Sequence, residues 1–435
     1  MSLRFHNVGI VKEIDINLYS PLTIFTGPNG TGKTYVSYLL NQLPTSMGGA
    51  FLSMIRRDKD ERINKLFPLE ALKKGASIRG ELDLDLLYEI FKDALTIVSR
   101  SIIEQANLAF SEDATKDFSI ELLTSVDEWR EEIEKASFTV GFSVKFVKQP
   151  NSKLFIFEVT NPDSNNDDSF LQALSLTALF FGGCVNSMMF TAERTGIALF
   201  SKELSLGRLK DNNGREKSIR YPSAISEGLV FAEDRGFIMK GVSSLASIAE
   251  KIESNIINGE MLVSEDGEMQ FKYGQNIVGF PLSSSSSKAL GDFLFYLKHR
   301  AEAQSMVMVD EPEIHLHPDN QIILARIFAM MVNKGMRVVI TTHSDYIIRE
   351  INNLIMLRSI GQDFKPDAMR LGSAADEYLN FQDVSAYLFD REEDHVQVSP
   401  LTVSNYGFSV SSIDRVIGRI NEISERLYVA LMQNQ

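Results

Sequence analysis

Eight consecutive residues, Gly27-Pro28-Asn29-Gly30-Thr31-Gly32-Lys33-Thr34, have the types and spacing to cradle a phosphate. Three glycines let the backbone wind until successive N–H groups, through Asn29, Gly30, Thr31 and Gly32, point inward at anionic oxygens. Lys33 can then reach β- and γ-phosphates, and the Thr34 hydroxyl can hold Mg²⁺. A second candidate lies far downstream, where Met306-Val307-Met308-Val309 runs into Asp310-Glu311. Asp310 at such a strand end would hold Mg²⁺ through its water shell, and Glu311 would polarise a water for attack on phosphorus. Phosphoryl transfer needs both the cradle and the metal-water shell, so the two motifs support one another.

These residues need elements to place them. Leu22-Thr23-Ile24-Phe25 is a short apolar strand entering the loop, and Tyr35-Val36-Ser37-Tyr38-Leu39-Leu40 leaves it as a helix. The helix N-terminus adds partial positive charge toward the bound anion. Upstream, Phe5–Val11 and Ile14–Leu18 alternate apolar and polar as half-buried antiparallel strands do. Residues 46–135 carry helical spacing with no sustained heptad, which predicts a helical insertion. Strand alternation returns over 138–147 and 154–159 as a hairpin. A second helical insertion is expected at 201–260, then small antiparallel strands over 261–279. The serines Ser283–Ser287 lead directly into a helix with an apolar face from Leu290 to Leu297. Toward the C-terminus, Val384–Phe389 reads as a strand and Ser412–Leu431 as an amphipathic helix suited to packing on the head or a partner.

Composition narrows the class. The chain has 435 residues, 44% of them hydrophobic and 23% charged, as in a soluble globular protein. Its 44 basic and 58 acidic residues leave a formal charge of −14, so bulk electrostatics do not favour DNA. The single cysteine, Cys184, excludes an internal disulfide and a cysteine-based zinc site. The start, Met1-Ser2-Leu3-Arg4-Phe5, lacks a basic-then-apolar signal pattern, so a cytoplasmic location is expected. Ser169–Ala192 carries no charge and is long enough on paper to cross a bilayer. Gly182-Gly183 and Asn186 interrupt it, however, and a buried helix followed by a buried strand is expected, with no membrane association.

The run Asp310-Glu311-Pro312-Glu313-Ile314-His315-Leu316-His317-Pro318 resembles the extended Walker B and D-loop of ABC-type ATPases of the OLD/RecF/SMC kind. Thr341-Thr342-His343-Ser344, ending the strand Met336–Ile340, looks like that family's switch histidine. The resemblance is greatest to bacterial OLD-like ATPases of anti-phage defence operons. It implies an α/β fold: an ABC-type head with a P-loop, a mixed sheet, an antiparallel β subdomain and helical insertions. The head would comprise residues 1–45, 136–200 and 261–360, with 46–135 and 201–260 inserted and 361–435 a C-terminal strand and helix module. It further implies ATP and Mg²⁺ sandwiched between two protomers, in a homodimer or higher homo-oligomer.

By the same analogy Ser284, Ser285 and Ser286 would be the signature residues facing the partner's nucleotide. Serine stands here where the family usually has a glycine, which implies slow or partner-dependent hydrolysis. His343 would contact the γ-phosphate, its alternative being a strand-end histidine bonded locally. His315 and His317 could suggest a metal pair but fit a D-loop at the dimer interface. Arg194 could face phosphate or pair with a carboxylate. OLD proteins proper continue into a Toprim nuclease, which needs a Glu and a D-x-D cluster; Asp376-Glu377 and Asp390–Asp394 provide no such cluster at a strand end. The implied function is therefore an ATPase that controls a separately encoded effector, with a nuclease the foremost candidate. The alternative is a RecF-like DNA-repair ATPase.

Overall fold

The computed structural model describes residues 1–57, 59–66, 77–81, 83–109, 117–134, 138–140, 144–148, 155–160, 168–201, 221–264, 266–360, 374–393 and 395–433. In chain order the strands are β1 (Ser2–Val8), β2 (Val11–Asn17), β3 (Leu22–Thr26), β4 (Ser77–Glu81), β5 (Ser119–Leu122), β6 (Phe138–Val140), β7 (Val144–Lys148) and β8 (Phe155–Thr160). They continue with β9 (Ser187–Phe190), β10 (Glu260–Val263), β11 (Met269–Tyr273), β12 (Asn276–Gly279), β13 (Met306–Asp310), β14 (Arg337–Thr342), β15 (Val384–Arg391) and β16 (Val396–Leu401).

Nine of them form one mixed sheet in the order β5-β1-β2-β16-β15-β3-β14-β13-β9. The run from β15 to β9 is parallel, whereas β1, β2, β5 and the β15–β16 pair make antiparallel ladders. Both β3 and β13 are buried along their whole length, as parallel strands covered on two faces must be. The side chains of β13 and of its neighbour β14 alternate between two cores. Met306, Met308 and Val339 enter one, with residues of the helices Lys33–Arg56, Leu84–Ala109 and Asp168–Phe180. Val307, Val309, Val338 and Ile340 enter the other, with the helices Ser285–His299, Pro318–Asn333 and Asp345–Ser359. The result is an α/β head with a three-stranded sheet (β10-β11-β12) and a four-stranded one (β4-β8-β7-β6) beside it.

The uncharged stretch resolves as the helix Asp168–Phe180, a turn at Gly182 and Gly183 with φ of 55° and 92°, and the largely buried β9 at the end of the sheet, beside β13. Among the described residues no helix is long and apolar enough to cross a membrane.

Several boundaries differ from the sequence expectation. Residues 138–147 form not one strand but two, β6 and β7, paired antiparallel. The helix that starts at Lys33 runs unbroken to Arg56, past the expected boundary at 45. Within 46–135, β5 pairs with β1 in the main sheet and β4 pairs with β8. Residues 384–401 are part of the main sheet too, because β15 takes the free edge of β3 and hydrogen-bonds along it. A strand's partner depends on long-range pairing, which local alternation does not encode. Residues 161–167, and 202–220 of the second expected helical insertion, lie outside the described residues.

Candidate functional site

The site forms where β3, β14 and β13, adjacent and parallel, reach their C-terminal ends. In an open α/β sheet this is the edge at which ligands bind. The loop 27–32 leaves β3 with Gly27 at φ 137°, Gly30 at 71° and Gly32 at 86°. Gly27 is needed twice over, since a Cβ there would lie 2.1 Å from the carbonyl oxygen of Phe389 on β15. Pro28, Asn29 and Gly30 are exposed, while Thr31 and Lys33 are buried. The Lys33 ammonium donates to the carbonyls of Gly27 (2.9 Å) and Pro28 (2.7 Å) and to Thr31 Oγ1 (3.4 Å). Burial pulls its pKa below the ordinary lysine value, against the opposing pull of Glu311, Asp310 and Glu313.

The loop is tied to the end of β13 through Asp310. The Thr34 hydroxyl donates to Asp310 Oδ2 at 2.9 Å, and the Thr341 hydroxyl of β14 donates to Asp310 Oδ1. Burial raises the pKa of Asp310, and these two hydroxyls act to lower it. A hydroxyl and a carboxylate this close are the hard oxygen donors that Mg²⁺ prefers, so the pair fits the ion expected there. The described residues contain no group of three His, Cys, Asp or Glu side chains placed to hold a metal. A Mg²⁺ site of this kind does not need one, because phosphate and water supply the other ligands.

Glu311 has φ 47°, a left-handed conformation that is costly for a residue with a side chain. Its N–H donates to Thr341 O (3.2 Å) and Thr341 Oγ1 (3.0 Å), which hold it there. His343 Nδ1 lies 4.0 Å from Glu311 Oε1, and His343 Nε2 lies 3.8 Å from Glu313 Oε1. The expected catalytic pair are thus neighbours.

Two residues are more prominent here than their sequence positions indicated. Glu313 Oε1 accepts from the Thr342 hydroxyl and from the His343 N–H, both at 2.9 Å, clamping the end of β14 to the turn after β13. Its Oε2 is buried and has no hydrogen-bond partner among the described residues. Arg194, expected to face phosphate or a carboxylate, shows no carboxylate pair among the described residues. Its buried guanidinium donates to four backbone carbonyls: Ala289 (2.9 Å), Thr191 (3.2 Å), Asp310 (2.7 Å) and Glu311 (3.0 Å). It therefore bolts the strand end that carries both carboxylates to the start of the helix Ser285–His299. The sequence signal was a lone arginine in a turn after an apolar strand; carbonyl partners leave no trace in sequence.

The serine segment caps its own helix. Ser284 is the N-cap of the helix Ser285–His299, its Oγ accepting from Ser287 N at 3.1 Å and lying 3.2 Å from Ser286 Oγ. Ser287 is buried and bonds Tyr273 Oη at 2.7 Å. Ser284 and Ser285 are exposed and Ser286 half-buried. The described hydrogen bonds of Ser284 and Ser286 stay within the serine run and do not reach Lys33 or Asp310. His317 is the N-cap of the helix Pro318–Asn333, its Nδ1 accepting from Asp319 N at 3.3 Å.

A family model described as an AAA ATPase domain matches residues 288–348. That stretch holds Asp310, Glu311, Glu313 and His343. It supports an ATPase site and leaves the loop at 27–34 to stand on its geometry. No curated protein matches the chain. Among solved structures, an SMC head bound to the C-winged helix domain of ScpA aligns over 93% of this chain and 97% of its own, at 12% identity and a TM-score of 0.37. The SMC head domain from Thermotoga maritima aligns over 92% and 98%, at 11% identity and a TM-score of 0.34. The fold is defined by the strand order itself.

Proposed function

We propose that the chain is an ABC-type ATPase of the OLD-like kind that binds ATP with Mg²⁺ on Gly27–Thr34 and Asp310 and hydrolyses it. The observation that carries this reading is the hydrogen-bonded chain Thr34–Asp310–Thr341, which joins a phosphate cradle to a buried carboxylate at the end of a neighbouring strand. Phosphate oxygens are charged acceptors and would draw the Lys33 ammonium from the neutral carbonyls of Gly27 and Pro28. When bound, Mg²⁺ supplies neutralisation of the β- and γ-phosphate charge, held from the Thr34 hydroxyl and Asp310. Glu311 takes the proton of the attacking water, and His343, beside it, contacts the γ-phosphate. Asn29, Gly30, Thr31 and Gly32 offer backbone N–H groups to the phosphates.

Two heads would close on ATP, with Ser284, Ser285 and Ser286 of one approaching the nucleotide of the other. We read the chain as a head that times the action of a separately encoded effector, a nuclease in bacterial anti-phage defence. Glu311→Gln should hold ATP in a trapped assembly, and Lys33→Ala should lose nucleotide binding. Hydrolysis by Glu311→Gln at the wild-type rate would sink the catalytic assignment. Tight, salt-sensitive DNA binding strengthened by ATP would shift the reading to a RecF-like clamp.

A further inference from the structure

The helix Ser411–Gln433 has no buried residue along its 23 positions. Its apolar residues nevertheless fall on a heptad: Ile413, Ile420 and Leu427 at a, and Val416, Ile423 and Ala430 at d. Ile413 packs partly on the body of the protein; beyond it the large apolar side chains of the seam, from Val416 to Leu427, are 45–61% exposed. Leu431, at an e position, is 67% exposed and widens the stripe. With Met432 beside it at the tip, 58% exposed, the helix leaves a continuous apolar stripe uncovered.

We infer that this helix is a nucleotide-independent dimerisation element whose occupant is the same helix of a second copy, paired parallel and in register. Two features select that occupant. The seam is self-complementary, Ile, Val and Leu meeting their own counterparts across a two-fold axis, as an isologous contact requires. The charges also permit self-pairing. Asp414, Glu422 and Glu425 balance Arg415, Arg419 and Arg426, so the helix is neutral within a chain of −14 and pays little of the repulsion between two acidic bodies. Orientation follows from the g positions. In a parallel pair Arg419 faces Ser424 and Arg426 faces Leu431, with no like charges opposed; an antiparallel pair sets arginine rows at g against each other. Arg426 is also held by Glu422 on its own helix at 2.5 Å. The two bodies would then sit at the same end of the coil.

The test is mass and cross-linking of the purified full chain without nucleotide. Light scattering at micromolar concentration should give twice the 48.8 kDa of one chain. Ile420→Asp with Leu427→Asp should halve that mass with an unchanged melting temperature, since neither side chain touches the core, while Tyr428→Glu, off the seam, should stay dimeric. The natural Cys184 is buried, and burial raises its thiol pKa to about 11, so an Ile423→Cys chain reports its own position. Under mild oxidation it should form a covalent dimer through residue 423. A monomeric wild type, a dimer that survives the double aspartate, or an Ile423→Cys chain that does not cross-link would each overturn the proposal. So would a wild-type helix whose partner proves to be a different protein.

Discussion

Arg194→Met tests whether one buried cation organises the catalytic strand end. The change keeps an unbranched stem without the guanidinium and removes all four hydrogen bonds to the carbonyls of Ala289, Thr191, Asp310 and Glu311. Hydrogen bonds to charged groups contribute about 1.5–3 kcal/mol each, but they are not additive. Burial also opposes the charge, lowering the Arg194 pKa, so part of the gain is offset. Losing a buried charged network costs roughly 3–5 kcal/mol, and the neutral carbonyls left behind put this case near about 3 kcal/mol. At about 2.1 cal/mol/K per residue of unfolding entropy, a chain of 435 residues should melt about 3 °C lower. The functional effect should be larger. Glu311 is held at φ 47° by Thr341 and by the Arg194 bond to its carbonyl, and misplacing a catalytic group by an ångström costs on the order of 100-fold. Calorimetry and a steady-state ATPase assay, with nucleotide binding measured beside them, separate the two effects. A variant that binds and hydrolyses ATP as the wild type does would refute the role assigned to Arg194, whatever its melting temperature.

Asp310→Asn should stabilise the nucleotide-free protein while abolishing Mg²⁺-dependent turnover. The folded pKa of Asp310 is raised, so the wild type gains stability as pH falls through that pKa toward the ordinary aspartate value and loses it as pH rises. The difference in melting temperature between variant and wild type should accordingly be widest at neutral pH and shrink on acidification; a pH-independent difference would contradict it. Gly27→Ala puts a methyl 2.1 Å from the Phe389 carbonyl at φ 137° and should cost more than about 3 kcal/mol, read as loss of soluble protein or of nucleotide binding. Glu313→Gln keeps the acceptor oxygen for Thr342 and His343 and should retain most turnover. Glu313→Ala should lose about tenfold or more in kcat with little change in nucleotide affinity, and equal activity of the two variants would count against the clamp.

The local geometry around the candidate site residues was legible in the sequence because it is set by neighbours in the chain. A strand, a glycine turn and a helix start follow one another over residues 22–40, and φ at Gly27, Gly30 and Gly32 is what that spacing demands. Asp310 and His343 each close an apolar strand that reads the same way in isolation. Apolar runs buried on both faces marked the parallel centre of the sheet. Only the tertiary structure decided which strands are neighbours. It placed β14 between β3 and β13, so that Thr341 bridges to Asp310, and drew β15 from residues expected to stand apart to the edge of β3. Pairing across hundreds of residues depends on which edges the whole core leaves open, and no window of sequence holds that information. The same reason hid Arg194 and Glu313: the four backbone carbonyls around Arg194, and the Thr342 hydroxyl and His343 N–H on Glu313, become partners only when the chain brings them together.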